Sequence, residues 1–196
     1  MRKLVYYVAT TLDGYIAGPD GADPSGADYF PLTPDVIQYI VEHYPETLPG
    51  PARAALGIDS PGQAFDTVLE GRASYEIGLA AGLTDAYPHL RHLVFSTTLE
   101  SRDPAVEIVR SGALERVRAL KAEEGKDLWL VGGGTLAHSL LPEIDRLVLK
   151  QNRSVIGSGI PLFDGPFQPH MFRPVDETLL DSGLRVLTYD RAWNPI

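Results

Sequence analysis

The sequence predicts an α/β protein built as a three-layer αβα sandwich, with a mostly parallel mixed sheet and an antiparallel hairpin near the end of the chain. Short apolar runs alternate with stretches whose apolar residues repeat at helical spacing, which is typical of strand–helix units in parallel sheets. The last two strand-like runs are separated only by Asp181-Ser182-Gly183, a sequence that favours a tight turn. No linker or internal repeat divides residues 1–196, so we expect a single domain.

Length and composition restrict the classes of function. A chain of 196 residues can bury a substantial core, and 44% hydrophobic with 22% charged residues is ordinary for a globular protein. The net charge of -9 and the lack of a basic stripe argue against a nucleic-acid partner. Without cysteine there is no disulfide or thiolate chemistry. The five histidines show no metal-ligand spacing with acids, so we predict no metal site.

No segment has the character of a membrane anchor or a secretion signal. Met1-Arg2-Lys3 precedes only about six apolar residues, which is too few for a signal peptide. No apolar run approaches the length needed to cross a bilayer. We therefore expect a cytoplasmic protein with no membrane partner.

The first predicted element is a strand at 4–9, because this run is nearly all apolar or aromatic and suits a strand buried on both faces. Asp13-Gly14 favours a turn, and 15–17 is predicted to be a short extended piece. Residues 18–33 are rich in glycine, proline and aspartate. A loop of this length is either a lid or binding loop, or a solvated excursion at the surface.

A helix is predicted from Pro34 to Tyr44. Thr33 suits the N-cap, proline suits the first helical position, and Asp35 supplies an acid in the first turn. Asp35 and Glu42 project away from the apolar face, so neither is expected to reach a site on the sheet. The residues assigned to that buried face are Ile37, Ile40, Val41 and Tyr44.

The alternation of strands and helices continues to the end of the chain. Residues 48–63 are rich in proline and glycine and give no element beyond one or two helical turns at 52–56, whereas 155–163 is expected to be a structured loop. The remaining predicted elements are strands at 65–69, 93–96, 106–109, 128–131, 144–154, 172–181 and 184–190, and helices at 71–81, between 111 and 125, and at 135–141.

The most distinctive stretch is Gly132-Gly133-Gly134-Thr135, which follows an apolar strand and opens the next helix. Glycines let the backbone turn sharply and approach a ligand, and a helix start attracts phosphate. With the two residues that follow, the run matches the dinucleotide fingerprint. However, the next strand ends in Lys150 and Gln151, not in the acid that this fingerprint requires about twenty residues on. The motif alone is equally consistent with a glycine turn that only permits tight strand–helix packing.

Four motifs occur together in an order that indicates a family. The sequence resembles the dihydrofolate-reductase-like family that includes the reductase half of the bifunctional riboflavin-biosynthesis deaminase–reductase. The resemblance spans almost the whole chain and is more specific for the fold than for the substrate. The motifs are Thr11-Leu12-Asp13-Gly14-Tyr15-Ile16-Ala17, Gly71-Arg72-Ala73-Ser74-Tyr75-Glu76, Val131-Gly132-Gly133-Gly134-Thr135 and Ile156-Gly157-Ser158-Gly159-Ile160-Pro161-Leu162-Phe163.

The resemblance implies a homodimer and an NADPH cofactor laid across the carboxyl ends of the strands, in agreement with the general rule for open α/β sheets. The implied contacts are Gly132, Gly133, Gly134 and Thr135 with the pyrophosphate, Gly71, Arg72 and Ser74 at a second phosphate-facing helix start, Ser96 and Thr97 near the adenosine 2′-phosphate, and the backbone of Ala9 with the nicotinamide amide. Arg72 suits the 2′-phosphate best, because a guanidinium binds phosphate through two parallel hydrogen bonds. The alternatives are that Arg72 is simply exposed at a helix start, that Ser74 caps its own helix, and that Ser96 and Thr97 simply end a strand.

The favoured function is therefore an NADPH-dependent reductase of a small heterocyclic substrate such as a pterin or an aminopyrimidine. The protein must then align the substrate and supply a proton. Asp28, on the loop before the helix at 34–44, is the nearest acid that could reach the site and is the candidate catalytic residue, unless it is a solvated loop carboxylate. Since that helix sends no carboxylate inward, an NADPH-binding protein without turnover is the second hypothesis. A purely structural module would leave Arg72 and the glycine turn unexplained.

Overall fold

The computed structural model describes residues 1–192. Strands and helices alternate through most of this range, as the apolar periodicity predicts. The strands are β1 (Leu4–Thr10), β2 (Tyr15–Ala17), β3 (Phe65–Gly71), β4 (Arg91–Phe95), β5 (Val106–Val109), β6 (Asp127–Gly132), β7 (Ile144–Gln151), β8 (Ile160–Pro161), β9 (Phe172–Leu179) and β10 (Arg185–Arg191). The α-helices are α1 (Pro34–His43), α2 (Gly50–Ala55), α3 (Arg72–Ala80), α4 (Ala113–Ala122) and α5 (Gly134–Ser139), with short 3-10 helices at Pro45–Thr47 and Leu141–Glu143.

Eight of the strands form one mixed sheet in the order β5-β4-β3-β6-β1-β7-β10-β9. The first six strands in this order are parallel, and β10 is antiparallel to both β7 and β9. The remaining two strands, β2 and β8, pair with each other outside the main sheet. The predicted fold class, a mostly parallel mixed sheet with a C-terminal antiparallel hairpin, is confirmed.

Helices cover both faces of the sheet because successive strand residues point to opposite sides. On one face Leu4 and Tyr6 belong to a core shared with α4 and α5. On the other face Val5 and Tyr7 pack into a second core with α1. The alternation within β1 therefore fixes the three-layer arrangement and assigns α1 and α5 to opposite layers.

The buried face of α1 differs from the predicted one. Val36 and Ile40 are the buried residues of the helix, whereas Ile37 and Val41 are only partly buried. The helix start is fixed by Asp35, whose carboxylate accepts a hydrogen bond of 2.8 Å from the backbone of Ser182 in the β9–β10 turn. With Asp35 held toward the hairpin, Val36 takes the buried place predicted for Ile37, so the face is rotated in the first turn, whereas Ile40 and Tyr44 pack in the core as predicted.

The segment at 48–63 is more ordered than the sequence predicts, with α2 beginning at Gly50. Two buried charged residues anchor it through backbone groups. The guanidinium of Arg53 donates to the carbonyl oxygens of Pro45 and Ser60, at 2.9 and 2.6 Å. The carboxylate of Glu46 accepts from three consecutive backbone N–H groups at 63–65. These bonds hold the segment against the end of the sheet.

Candidate functional site

A cavity of about 1370 Å³ lies at the carboxyl ends of the parallel strands. Open α/β sheets bind ligands in this place, because several strand ends and the loops that follow them converge there. Residues at the ends of β1, β3, β4, β6 and β7 line the cavity, as do parts of α1, α2 and α3. Among the predicted cofactor residues, those that line it are Ala9, Gly71, Arg72, Ser74, Ser96, Thr97, Gly133, Gly134 and Thr135.

Gly132, the remaining predicted cofactor residue, lies just below the cavity wall. Its φ of +129° is a conformation that L side chains rarely adopt, so this position requires glycine. A Cβ at Gly132 would approach the Tyr6 hydroxyl to 3.4 Å. The peptide bond between Gly132 and Gly133 is cis. Gly132 therefore shapes the turn from beneath and does not line the cavity.

The other two glycines of the turn have different surroundings. A Cβ on Gly133 would meet no atom within 4 Å, so the backbone is open toward the cavity at this residue. A Cβ on Gly134 would lie 2.2 Å from the carbonyl oxygen of Pro161, so glycine is needed there for packing. Tight packing thus explains the glycine at 134, whereas the open backbone at Gly133 is compatible with a close ligand, and the phosphate contact stays a prediction.

An acidic residue that the sequence analysis missed lies beside this turn. Asp164 lines the cavity and accepts a hydrogen bond of 3.1 Å from the hydroxyl of Thr135. Its backbone N–H donates to the carbonyl oxygen of Gly134, also at 3.1 Å. The Thr135 hydroxyl therefore donates its hydrogen to Asp164, and the carboxylate adds negative charge at the place where a phosphate was predicted.

Two guanidinium groups line the cavity directly after β3 and β5. Arg72, at the start of α3, is 54% exposed and pairs with Glu76 at 2.7 Å, and it also donates to the hydroxyl of Thr98 at 3.1 Å. Arg110 lies directly after β5, lines the same cavity and donates to the carbonyl oxygen of Thr97 at 3.4 Å. Arg110 was not singled out, although its place directly after a predicted strand puts it at the same sheet edge.

Ser96 and Ser74, which both line the cavity, differ in their hydrogen bonding. The Ser96 hydroxyl accepts hydrogen bonds from the backbone N–H groups of Thr98 and Leu99, at 3.3 and 3.0 Å. Ser96 therefore closes the turn after β4, which agrees with the alternative that its hydroxyl simply ends a strand. It also lines the cavity. Ser74 lines the cavity from the first turn of α3 without capping that helix, since no side-chain cap bond is present there.

Asp28 is separated from the other predicted residues. It lines a second cavity of about 570 Å³, together with Thr33, Asn152 and Arg153, and is absent from the lining of the large one. The geometry gives no support to Asp28 as a proton donor, because Asp28 lines a different cavity from the predicted cofactor residues. The residue of the loop at 18–33 whose carboxylate belongs to the lining of the large cavity is Asp23. The carboxylates of α1 stay outside as predicted, with Asp35 bonded to Ser182 and Glu42 exposed beside Gln38.

An aromatic floor extends along the α1 side of the large cavity. It consists of Tyr7, Trp129 and Tyr87, which all line the cavity. The ring centroids of Tyr7 and Trp129 are 6.4 Å apart, and those of Trp129 and Tyr87 are 5.0 Å apart, both in edge-to-face contact. The indole N–H of Trp129 donates to the backbone carbonyl of Tyr7 at 3.1 Å. Edge-to-face contacts and this hydrogen bond make the floor rigid.

Ionisable groups lie at the two ends of this floor. At one end, Nζ of Lys150 lies 4.1 Å from the ring centroid of Tyr7, and burial lowers the pKa of Lys150 to about 8. At the other end, the Glu70 carboxylate lies 2.7 Å from Nε2 of His92, and burial raises the pKa of Glu70. Both Lys150 and Glu70 line the cavity. Neither was predicted as a site residue.

Two further classes of site find no support in the described part of the chain. Within residues 1–192, no group of three or more His, Cys, Asp or Glu side chains is arranged to hold a metal ion. None of the helices in that range combines the length and the apolar character that a bilayer-crossing helix needs.

Comparison with known proteins places the chain among bacterial relatives. No family model matches the sequence. It is 32% identical over 167 residues to the uncharacterized Bacillus subtilis protein YwjB, with 83% of each chain covered. It is 26% identical over 206 residues to the uncharacterized B. subtilis protein YyaP, which covers 98% of this chain and 96% of that protein.

Solved structures show the same fold at lower sequence identity. A Shewanella sp. PV-4 protein named for riboflavin biosynthesis superposes with a TM-score of 0.68 at 21% identity, over 98% of this chain and 99% of that one. Enterococcus faecalis dihydrofolate reductase complexed with NADP(H) gives 0.64 at 17% identity, over 96% of both chains. A Thermotoga maritima deaminase/reductase gives 0.64 at 17% identity, over 97% of this chain and 57% of that one. The predicted resemblance is confirmed: the chain has the dihydrofolate-reductase-like fold and belongs to the family of B. subtilis YwjB.

Proposed function

We propose that the protein is an NADPH-dependent reductase of a small heterocyclic compound, such as a pterin, an aminopyrimidine or a related ring. The observation that supports this most directly is the convergence of the predicted cofactor residues. They come from the ends of β1, β3, β4 and β6, far apart in the sequence, yet all except Gly132 line one cavity. A second support is that a dihydrofolate reductase with this fold was solved in complex with NADP(H).

The residues that line the cavity fit two groups of a dinucleotide, the pyrophosphate and the 2′-phosphate. At the glycine turn, the open backbone of Gly133 leaves room for a pyrophosphate to approach closely. Directly after β3 and β5, Arg72 and Arg110 would provide positive charge for a 2′-phosphate in an otherwise acidic protein. Asp164 opposes a phosphate at the glycine turn, because its carboxylate is bonded to the Thr135 hydroxyl there.

A bound NADPH would supply the hydride for the reduction, and the chain would supply the remaining requirements. The backbone of Ala9 and the nearly buried side chains of Ile16 and Ala17 line the cavity and would form an apolar wall beside the nicotinamide. The aromatic floor offers flat apolar surfaces against which a heterocycle packs. Glu70 can hold a proton near neutral pH more readily than an exposed glutamate does, because burial raises its pKa.

A protein that binds NADPH without turnover is the second candidate. The observation in its favour is that neither carboxylate of α1 enters the cavity, since Asp35 is bonded to the hairpin turn and Glu42 is exposed. A reductase of this design therefore needs its proton from another group. Glu70 and Lys150 are available for that role, which is why we prefer the reductase.

Titration of the purified protein with NADPH, followed by cofactor fluorescence, tests the first part of the proposal. Binding at micromolar cofactor is expected, and an unchanged spectrum would reject both candidates. Single-turnover oxidation of bound NADPH across a panel of pterins, aminopyrimidines and quinones then separates them. Oxidation by any member supports the reductase, whereas binding without oxidation by all members supports the binding protein. The Asp28→Asn variant is the control, because Asp28 lines the other cavity and its loss is expected to change neither result.

A further inference from the structure

Lys150 occupies a position beside the predicted nicotinamide contact. It lies near the end of β7, in register with Ala9 of β1 on one side and with Val186 of β10 on the other. Its side chain points to the α1 face of the sheet, where Nζ lies 4.1 Å from the Tyr7 ring centroid. Neighbouring parallel strands are about 4.8 Å apart, so Lys150 and Ala9 belong to the same small part of the cavity.

The ammonium of Lys150 has no partner in the described part of the chain. Within residues 1–192, no hydrogen-bond acceptor contacts Nζ and no carboxylate lies within the 4.0 Å of an ion pair, although the protein has 26 acidic against 17 basic residues. Two cations that are buried are paired: Lys121 lies 2.7 Å from Asp145, and Arg2 binds Asp66. Lys150 is only partly buried and lines the cavity, so its unpaired ammonium is open to an acceptor or a negative charge on a ligand.

The protonation state of the pair suits this role. Burial lowers the pKa of Lys150 to about 8, so the ammonium form predominates at pH 7. Burial also raises the pKa of Tyr7 well above 10, so the phenol in contact with Lys150 stays neutral. The neutral ring stabilises the ammonium by a cation–π contact but cannot neutralise it. One positive charge thus faces the cavity, at the edge of the aromatic floor.

We infer that the Lys150 ammonium selects the substrate: it binds a flat ring that carries a carbonyl oxygen or a negatively charged group on the edge facing β7. The aromatic floor favours an aromatic ligand, and the unpaired ammonium favours the edge that this ligand presents. A ring with amino groups on that edge would bring donor against donor, and a protonated ring would bring like charges together. The inference rests on the proposed function, in that NADPH is taken to fill the cavity from Ala9 to Arg72 and to leave the Lys150 end to the substrate.

Two related fluorescent pteridines test this directly. Lumazine carries two ring carbonyl groups, and its diamino analogue has the same flat ring with amino groups in their place. We expect the NADPH-loaded protein to bind lumazine at least about tenfold more tightly than the analogue, as one charge-assisted hydrogen bond provides. A preference for the diamino ring, or lumazine binding that cannot be detected while NADPH binds, would overturn the inference.

Three variants assign the preference to the side chain. Lys150→Met removes the charge at similar length and is expected to weaken lumazine at least about tenfold, which is a larger loss than it causes in NADPH affinity. Lys150→Arg keeps the charge and should recover most of the lumazine affinity, and Lys3→Met, which removes a lysine outside the cavity, should match the parent protein. If Lys150→Met binds lumazine as the parent does, Lys150 has no role in selection. A parent protein that binds lumazine but not NADPH would instead refute the proposed function, so the two failures are distinguishable.

Discussion

Nε2 of His92 lies 2.7 Å from Oε1 of Glu70, inside the sheet and directly below the cavity. On its other side, Nδ1 of His92 lies 2.8 Å from Oδ1 of Asp85. Burial by itself would lower the pKa of His92, but the hydrogen bonds and charges of Glu70 and Asp85 outweigh burial and raise it. The His92 ring, hydrogen-bonded on both sides, thus ties β4 to β3 at the point where Glu70 enters the cavity wall.

Replacing His92 should therefore destabilise the protein more at low pH than at high pH. A raised folded-state pKa gives stability that is fully present below the unfolded value of about 6.5 and is lost as the pH rises through the folded value. We expect His92→Gln to lower the free energy of unfolding by about 2–4 kcal/mol at pH 6 and by clearly less at pH 9. Urea denaturation across this pH range measures the difference. The exposed His43, changed to Gln, is the control, and a cost for His92→Gln that does not vary with pH would contradict the prediction.

Arg72→Ala should distinguish the two nicotinamide cofactors. If the guanidinium binds the 2′-phosphate, its loss weakens NADPH by about tenfold and leaves NADH nearly unchanged, because only NADPH carries that phosphate. Fluorescence titration with each cofactor measures both affinities. Arg118→Ala is a matched control, since Arg118 is also a half-exposed helical arginine, paired with Glu143 at 2.7 Å, but lies outside the cavity. Equal losses for NADPH and NADH would remove the assigned role of Arg72.

The glycine turn offers a paired test of binding and folding. Gly134→Ala places a Cβ 2.2 Å from the Pro161 carbonyl oxygen, so we expect a loss of at least about 2 kcal/mol in the free energy of unfolding. Gly133→Ala meets no atom within 4 Å, so the protein should fold with a loss below about 1 kcal/mol, while the new methyl group blocks the approach of NADPH. Thermal unfolding and cofactor titration separate the two effects. Unimpaired NADPH binding by Gly133→Ala would show that the turn does not contact the cofactor.

Asp164→Asn should tighten NADPH binding. The carboxylate beside Thr135 repels a phosphate at the glycine turn, and two charges about 4 Å apart in a watery environment interact by about 1 kcal/mol, which corresponds to a fivefold change. Titrations at low and high salt should show the gain shrinking as screening increases. Asp28→Asn, in the separate cavity, is expected to leave the affinity unchanged. Weaker binding by Asp164→Asn would mean that the carboxylate positions Thr135 for the cofactor.

The parts of the site that could be predicted from the sequence are those determined by local residue types. The glycine turn and Arg72 each follow an apolar strand directly, and carboxyl ends of parallel strands meet at one edge. The order of the motifs then identified the fold, which the solved structures confirm. Local sequence was sufficient here because the signal and the structure involve the same few residues.

The residues that the sequence did not reveal depend on contacts between distant segments. The sequence drew attention to Lys150 only because the strand that it ends lacks the acid of the dinucleotide fingerprint. Its place in the cavity arises from the register of β7 between β1 and β10. Asp164 reaches Thr135 from another loop, and Asp23 rather than Asp28 faces the cavity because of the path of a long loop. The rotated face of α1 has the same origin, since its start is held by Ser182 in the distant hairpin.

The hairpin formed by β9 and β10 completes the sheet beside Lys150 last during synthesis. Val186 of β10 flanks Lys150, so β7 remains an open edge until β10 has paired with it. During synthesis, the ammonium would meet bulk water and behave as an ordinary hydrated amine until the chain as far as Val186 has left the ribosome. A shortened version ending before Phe172 would keep the glycine turn and Arg72 but would expose the full length of β7 to foreign strands. The hairpin therefore protects the edge of the sheet, and removing it would leave an aggregation-prone strand beside the cavity.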